Sequence, residues 1–440
     1  MTSDMPPDGG WRVKEVKISE AFRPSAPIDR AELFAGRNDE IRTMLDVVNQ
    51  PGQHAVVYGE RGVGKTSLIN MLPELLTTAG RTDTITTKVN CDRTDNFDTV
   101  WRKVLQEIEF SAPIRQLGFL PGTELQKFSL GNVIIPGATI SSNWLRRAFR
   151  ELSRPVIVII DEFDRLKSTE DTRLFADTIK TFSDYDVKAT VILVGVGQTI
   201  NDLLSEHQSI DRALVQIGLR RMQQEELEII LEKGATHADM SFDPDVRRRI
   251  AVVSQGFAHY THLLGQDSCR EAIGAHKTVV GHEELFHALT QAVEKSQQSI
   301  ISEYTEAVKS NDPRSIYQEV LLACTFAPLD DMGMFTTGGV RQPLTIIRGR
   351  NYSISHYAHH LDEFSSAKRR NILIKSGEPR RRRFQFTDPL MEPFVIIHGL
   401  AIRMVNEEQF EALISYSDGQ EPEHLELSDI QSAKIELRPQ

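Results

Sequence analysis

A run of nine residues beginning at residue 59 combines glycines, a lysine and two hydroxyl side chains. The run is Gly59, Glu60, Arg61, Gly62, Val63, Gly64, Lys65, Thr66 and Ser67. It fits the pattern G-x4-G-K-[ST], in which glycines let successive backbone N–H groups point at phosphate oxygens. In this pattern Lys65 lies against the β- and γ-phosphates and the Thr66 hydroxyl is a magnesium ligand. The apolar runs on both sides disfavour a chance glycine-rich turn, so the motif predicts a site for ATP and Mg2+.

Two carboxylates follow the most apolar run of the chain. Residues 156–160 are all Val or Ile, which is typical of a central parallel strand buried on both faces. Asp161, at its end, is predicted to hold magnesium directly or through water. Glu162 is predicted to orient and deprotonate the attacking water. An ordinary helix cap with a solvated neighbour is the alternative for such a pair, but the phosphate motif upstream favours ATP hydrolysis.

These motifs need a scaffold that brings the ends of several strands together. Five apolar runs are predicted strands and alternate with longer helical stretches: residues 54–58, 84–90, 156–160, 191–196 and 215–219. Strands alternating with helices indicate a parallel sheet covered on both faces. We therefore expect an α/β fold built on a P-loop parallel sheet. Residues 111–140 break the alternation and are predicted to form an insertion, either a small hairpin or a loop.

Composition limits the remaining possibilities. The 440 residues suit two or three domains, and the net charge of −11 argues against attraction of the whole molecule to nucleic acid. The three cysteines lie far apart, so buried side chains are expected rather than a disulfide framework or a zinc cluster. This pattern favours the cytoplasm. No apolar run approaches the roughly 18 to 20 residues of a membrane span, and no secretory signal is visible at the start.

With both motifs in place, the sequence resembles the AAA+ superfamily. Within it, the chain is similar to the origin-recognition-complex-like and archaeal initiator ATPases and their bacterial relatives, over roughly residues 30–400. The resemblance implies an AAA+ core, a helical lid, a C-terminal winged helix and assembly into a homo-oligomer. It predicts the following organisation: a flexible N-terminal arm over residues 1–30, the ATPase core over 31–222, the lid over 223–310, the winged helix over 311–402 and an acidic tail over 403–440.

One segment is similar to the stretch that opens the core in this family. Residues 33–40 resemble the pattern F-x-G-R-x-x-E, whose residues pack against adenine in the family. The resemblance therefore implies that Phe34 and Arg37 contact the nucleotide. The alternative is an ordinary helix start capped by Asn38.

Three more positions match places where the family senses nucleotide. Gln198 follows a predicted strand, where the family usually has Asn, Ser or Thr, and it can hydrogen-bond a water or the γ-phosphate. Arg212 lies where the family often carries an arginine finger that reaches a neighbouring subunit's site, although a solvated arginine fits equally well. His259 replaces the second sensor arginine, and packing is its favoured role.

Basic residues crowd the predicted winged helix. Those expected to contact nucleic acid are Arg369, Arg370, Lys375, Arg380, Arg381, Arg382 and Arg383. The helix over residues 353–364 is expected to lie in the major groove, and the basic turn over 375–382, between two predicted strands, is expected to grip the DNA backbone. The helix is not strongly basic, so weak sequence preference is expected. A solvated basic turn, or one that docks the acidic tail, is the alternative.

Two functions remain open on this basis. The first is an ATPase that binds double-stranded DNA, in which ATP assembles subunits or clamps a duplex and hydrolysis resets the assembly. The second is a signalling or defence switch, in which nucleotide controls oligomerisation and the winged helix contacts a protein partner. The sequence contains no clear nuclease, protease or deaminase motif, so the effector of such a switch would be a separate protein.

Overall fold

The computed structural model describes residues 9–24, 33–115, 123–133, 139–196, 210, 212–330, 333–378 and 381–417. It divides into two compact units, which we call the core unit and the helical unit. The core unit is Ala26–Arg221, and the helical unit combines Met1–Ser25 with Met222–Gln440. The boundary after Arg221 lies one residue from the predicted end of the ATPase core.

The described residues form twelve strands and sixteen helices. The strands are β1 (His54–Gly59), β2 (Ile85–Asn90), β3 (Glu109–Arg115), β4 (Thr123–Ser129), β5 (Val156–Asp161), β6 (Ala189–Gly195), β7 (Leu214–Leu219), β8 (Ser241–Phe242), β9 (Val279–Val280), β10 (Phe335–Thr336), β11 (Leu373–Ser376) and β12 (Arg383–Phe386). The helices are α1 (Gly9–Ala21), α2 (Asn38–Asn49), α3 (Lys65–Thr78), α4 (Phe97–Glu107), α5 (Ser142–Arg150), α6 (Thr169–Asp184), α7 (Gln224–His237), α8 (Pro244–Val253), α9 (Ala258–Gly274), α10 (His282–Lys295), α11 (Gln298–Val308), α12 (Tyr317–Thr325), α13 (Arg341–Arg348), α14 (Ile354–Phe364), α15 (Met391–Ala401) and α16 (Glu407–Ser417).

The core unit is built on a five-stranded parallel sheet in the order β2-β5-β6-β1-β7. Every residue of β5 and β6 is buried, as expected from their almost entirely apolar sequences. Because all five strands are parallel, their carboxyl ends share one edge, where ligands of such sheets bind. Gly59 is the last residue of β1 and Asp161 the last residue of β5, so both lie at that edge, with β6 between their strands. The five predicted strands are confirmed.

Aromatic side chains from α4, α5 and α6 fill one side of this sheet. The rings of Phe97 and Phe175 lie 5.0 Å apart, and Trp101 packs edge-on against Phe149 at 5.9 Å. Such pairs stabilise a core beyond the area that they bury. Beside them, β3 and β4 form an antiparallel hairpin, which confirms the predicted insertion.

The N-terminal segment of the helical unit corrects one prediction. Residues 1–30 are predicted to be a flexible arm, but α1 packs on α7 and α9, and this part of the prediction is wrong. The Phe22 ring is fully buried beside Gly234 and Gly265, where a Cβ atom would come within 2.3 and 2.7 Å of it. The sequence hides this helix because its apolar residues do not form one clear stripe: Val16 is exposed and Ile18 is buried.

The C-terminal part of the helical unit combines helices with a small sheet. The order is α12, β10, α13, α14, β11 and β12, and the three strands pair antiparallel as β10-β12-β11. Helix α15 packs on α10 and α12. The helix predicted over residues 353–364 is confirmed as α14, and the two strands predicted on either side of the basic turn are confirmed as β11 and β12.

The acidic segment that follows is helical over part of its length. An acidic tail is predicted over residues 403–440, but α16 packs on α13, with Phe410 and Leu413 buried. The side-chain amide of Gln409 donates to Ile346 O at 2.8 Å. Residues 418–440 lie outside the described residues.

Removing the Phe22 ring tests the packed N-terminal segment. We expect Phe22→Ala to lower the free energy of unfolding of the helical unit by about 3–5 kcal/mol, because it empties a site lined by two glycines. Denaturant unfolding followed by circular dichroism measures this change. Val16→Ala, at an exposed position of α1, the helix that ends just before Phe22, should change it by less than about 0.5 kcal/mol. Equal stabilities of the two variants would contradict this packing.

A buried histidine in β1 makes the stability of the core unit depend on pH. His54 Nδ1 accepts the backbone N–H of Val191 at 2.9 Å, and burial lowers the pKa of His54 to about 3. The unfolded chain therefore binds a proton below about pH 6.5 that the folded chain does not bind. Stability is complete above that pH and falls as the pH drops from 6.5 towards 3.

We expect His54→Gln to reduce the loss of unfolding free energy on acidification by up to about 1.4 kcal/mol per pH unit below pH 6. Denaturant titrations of the core-unit transition at pH 7, 6 and 5 give this slope. His287→Gln, at an exposed position of the helical unit, should reproduce the parent's slope. A parent-like slope in His54→Gln would show that this histidine is not the group responsible.

Candidate active site

The glycine-rich loop connects β1 to α3. Two of its positions require glycine for different reasons, one for lack of space and one for its backbone conformation. At Gly59 a Cβ atom would lie 2.2 Å from Leu219 O, so no larger residue fits beside the end of β7. Gly64 has φ 97° and caps the N-terminus of α3, with no atom within 4 Å of its Cβ position. The loop therefore surrounds open space at a helix N-terminus, which is the geometry that phosphate requires.

Lys65 bends back onto this loop. Its Nζ donates to Gly59 O at 2.9 Å and to Glu60 O at 2.7 Å. Burial lowers the pKa of Lys65, while the carboxylates of Asp164, Asp161 and Glu60 oppose that shift. The ammonium group thus lies among acceptors that a phosphate can replace.

Asp161 joins the two sequence motifs. Its side chain is buried, and its Oδ2 accepts the hydroxyl of Thr66 at 3.1 Å. Its Oδ1 accepts the backbone N–H of Glu162 at 2.9 Å. The two predicted magnesium ligands, which are far apart in sequence, are therefore in direct contact.

A lysine that the sequence analysis did not predict as part of the site lies beside the Asp161 carboxylate. Lys88, in β2, lies with its Nζ 3.1 Å from Asp161 Oδ2. In the sequence, Lys88 is recognisable only as a lysine inside the predicted strand over residues 84–90, and this position does not identify its partner.

Glu162 is half-exposed and is held by an arginine that the sequence did not single out. Arg165 approaches its two carboxylate oxygens at 3.0 Å each, in a bidentate pair. The backbone of Glu162 is left-handed, with φ 57°, so this residue departs from the strand direction directly after Asp161. The predicted base therefore directly follows Asp161, a predicted magnesium ligand, and its carboxylate is paired with Arg165.

Arg37 supports the loop from outside. It is buried, has a left-handed φ of 62°, and its guanidinium donates to Val63 O at 3.1 Å and to Arg220 O. These contacts link the phosphate loop to the residue after β7. Phe34 is half-buried close by in the chain.

The remaining predicted nucleotide-sensing residues fall in different places. Gln198 lies outside the described residues. Arg212 is exposed in the turn before β7. In the helical unit, His259 Nδ1 bonds Pro24 O at 2.6 Å, and burial lowers the pKa of this histidine. These contacts support its predicted packing role.

Several side chains of the basic segment, residues 368–383, form contacts within the helical unit that the sequence does not indicate. Arg369 is buried: it donates to Ala307 O at 2.9 Å and lies 3.7 Å over the Tyr317 ring. Its assignment as a nucleic-acid contact does not fit this burial, because the guanidinium is used inside the unit. An isolated sequence cannot show that partner, since it lies about 60 residues away.

Acidic side chains pair with other members of the basic segment. Lys375 Nζ lies 3.3 Å from Asp362 Oδ1, and Arg382 bonds the same carboxylate. Arg383 pairs with Asp330. Arg370 and Arg381 are exposed, and Arg380 lies outside the described residues. The acidic helix α16 does not dock here: Glu411 lies 3.3 Å from Arg248 in the helical unit.

The residues at the strand edge fit a magnesium nucleotide. Gly64 leaves space at the helix N-terminus, Lys65 supplies a cation, and Thr66 with Asp161 supplies hard oxygen ligands. These groups match the partners that phosphates and a divalent ion need.

Comparison with known families agrees with this site. The family model described as novel STAND NTPase 1 matches residues 21–261, which is more than half of the chain. The chain belongs to the novel STAND NTPase 1 family. The match covers the phosphate loop, Asp161 and the first helices of the helical unit, so this STAND protein has the core of an NTPase. No curated protein sequence matches the chain.

Solved structures with a similar course of the chain were also found. The ORC2 protein of Aeropyrum pernix, in ADPNP and ADP complexes, is 14% identical, with 87% of this chain and 97% of that chain covered and a TM-score of 0.49. The Aeropyrum pernix ORC1 protein in complex with DNA is 14% identical, with 88% and 98% covered and a TM-score of 0.45. A Walker-type ATPase of Pyrococcus abyssi is 15% identical, with 84% and 98% covered and a TM-score of 0.46.

Among the residues that the structure describes, no helix of this STAND NTPase is both long and apolar enough to cross a membrane.

Proposed function

We propose that this STAND NTPase binds ATP with Mg2+ and hydrolyses it, and that the nucleotide controls an assembly that acts on DNA. The observation that carries the proposal is the convergence of Lys65, Thr66 and Asp161 at one edge of the sheet. Three buried, unpaired cysteines support the cytoplasm as its compartment.

In this proposal each residue of the loop has a defined task. Lys65 exchanges the carbonyls of Gly59 and Glu60 for phosphate oxygens, and the loop N–H groups hold the remaining phosphate charge. Thr66 and Asp161 hold the magnesium ion, which when bound neutralises charge that develops on the phosphates. Arg37 keeps the loop at the end of β7 during this exchange.

Glu162 is the proposed general base. Its carboxylate accepts a proton from water as the water oxygen bonds to the γ-phosphorus and the bond to the ADP oxygen breaks. The carboxylate must first leave Arg165, with which it forms a bidentate pair. Both side chains are nearly half exposed, so water can replace the hydrogen bonds of the pair when it separates, which is compatible with turnover.

Three further residues would complete the site, and one of them would act on a neighbouring copy. Arg212 is exposed before β7 and is the proposed finger towards a neighbouring copy's nucleotide, as the resemblance implies. Phe34 is the proposed adenine contact and Gln198 the proposed sensor of the γ-phosphate or its water.

DNA binding is proposed for the C-terminal part of the helical unit. Its order of one helix, one strand, two helices and two strands supports a winged helix, with α14 as the groove helix and the turn between β11 and β12 as the wing. The structure leaves Arg370 and Arg381 exposed in the basic segment. We therefore propose phosphate contacts from these two, rather than from the whole run.

A protein partner is the second candidate for this surface. The observation in its favour is Asp362, which lies on α14 and pairs with Lys375 and Arg382. A carboxylate in the last turn of the groove helix disfavours contact with phosphate, whereas a mixed charge pattern suits a protein contact. In that case nucleotide would switch a signalling or defence partner instead of DNA.

Two substitutions separate nucleotide binding from hydrolysis. Lys65→Ala should lower ATP affinity at least about 100-fold, because it removes the cation that faces the phosphates. Glu162→Gln should bind ATP as the parent does but turn over at least about 100-fold more slowly, because the amide cannot accept the proton. Isothermal titration and phosphate release measure the two effects. Parent-like hydrolysis by Glu162→Gln would show that another group is the base.

The salt dependence of DNA binding tests the exposed arginines. We expect duplex affinity, measured by fluorescence anisotropy with and without ATP, to fall steeply as salt rises. The double variant Arg370→Ser, Arg381→Ser should reduce the log–log slope by about 1.8, since each lost phosphate contact removes about 0.9. Arg314→Ser, at an exposed position before α12, should keep the parent's slope. No binding at low salt would favour the protein partner.

A further inference from the structure

A lysine on the strand next to β5 is built into the nucleotide site. Lys88 Nζ lies 3.1 Å from Asp161 Oδ2 and donates to Asn70 Oδ1 at 2.8 Å. The Lys88 side chain is 28% exposed and the Asp161 side chain 6%, so the pair is largely screened from solvent. A charge pair in such surroundings interacts more strongly than one on the surface.

The position of this lysine is set by three elements. In the sheet Lys88 is opposite Ile159, two residues before Asp161, so the register of β2 on β5 brings its ammonium to the carboxylate. Asn70 lies one turn of α3 after Thr66 and holds the same ammonium from the other side. The oxygen that faces Lys88 also accepts the Thr66 hydroxyl. One carboxylate oxygen is therefore shared by a proposed metal ligand and a lysine.

We propose that Lys88 is a resident counter-ion of Asp161, which competes with the divalent ion and makes nucleotide binding only weakly dependent on Mg2+. This inference rests on the proposed function of the site. A bare Asp161 carboxylate would repel phosphates, so a site without Lys88 would need the metal before it could accept a nucleotide. With Lys88 present, the carboxylate is already compensated, and the metal must displace the ammonium before it binds.

The test compares nucleotide affinity with Mg2+ and with EDTA, using a fluorescent ADP analogue and the full chain. For the parent we expect the two dissociation constants to differ by less than about threefold. For Lys88→Met we expect a difference of at least about tenfold, because affinity falls in EDTA and is retained with Mg2+. A second readout is thermal unfolding without nucleotide, in which Mg2+ alone should stabilise Lys88→Met more than the parent.

Two variants control for charge and for general effects of substitution. Lys88→Arg keeps a cation beside Asp161 and should restore the weak dependence on Mg2+. Lys180→Met removes an exposed lysine from α6 in the same unit and should behave as the parent. Should Lys88→Met fail to fold, Asn70→Leu loosens the same lysine without removing it. This variant should raise the Mg2+ dependence above that of the parent.

The outcomes separate this inference from the proposed function. If the parent binds no nucleotide in either condition, the proposed function fails. If the parent binds but depends on Mg2+ as strongly as Lys88→Met does, Lys88 is not a counter-ion and the inference is overturned. A lower Mg2+ dependence in Lys88→Met would overturn it as well, because Lys88 would then orient the carboxylate for the metal.

Discussion

A buried carboxylate at the end of a fully apolar strand constrains the candidate active site. A carboxylate buried at this position needs polar partners that compensate it, because a buried charge without partners is strongly unfavourable. The compensation comes from the Thr66 hydroxyl, the Glu162 backbone N–H and the Lys88 ammonium. These groups come from α3, from the residue after β5 and from β2. The contacts of one carboxylate therefore connect three elements of the core unit.

The phosphate loop depends on a second set of contacts at the other side of β1. Gly59 leaves only enough room for Leu219 O, and Arg37 links Val63 to Arg220. The loop is thus held from β7 and from the segment before α2. The space beside Gly64 is open, since no atom lies within 4 Å of its Cβ position. A site for a strongly charged ligand requires a loop whose backbone is held in place and whose N–H groups remain accessible.

Charge in the helical unit is arranged differently from what its linear pattern indicates. The acidic helix α16 lies against Arg248 and buries its apolar face on α13, while carboxylates on α14 and before β10 pair with the basic segment. Much of the apparent basic surface is therefore neutralised within the unit. Among the described residues of the basic segment, Arg370 and Arg381 are the exposed arginines outside these pairs, which narrows the contacts that a nucleic acid or a protein partner could make.

The sequence alone determined the phosphate motif, the carboxylate pair after β5, the five strands of the parallel sheet and two of the three strands of the small C-terminal sheet. Each of these depends on local spacing or on runs of apolar residues, which neighbouring positions specify. Only the tertiary structure decided that Lys88 reaches Asp161, that Arg165 holds Glu162, that Arg369 is buried and that Phe22 fills a site lined by glycines. With the exception of Arg165, which lies three residues from Glu162, these partners are tens to hundreds of residues apart. Local patterns carry no information on such pairs, because the packing of whole elements brings them together.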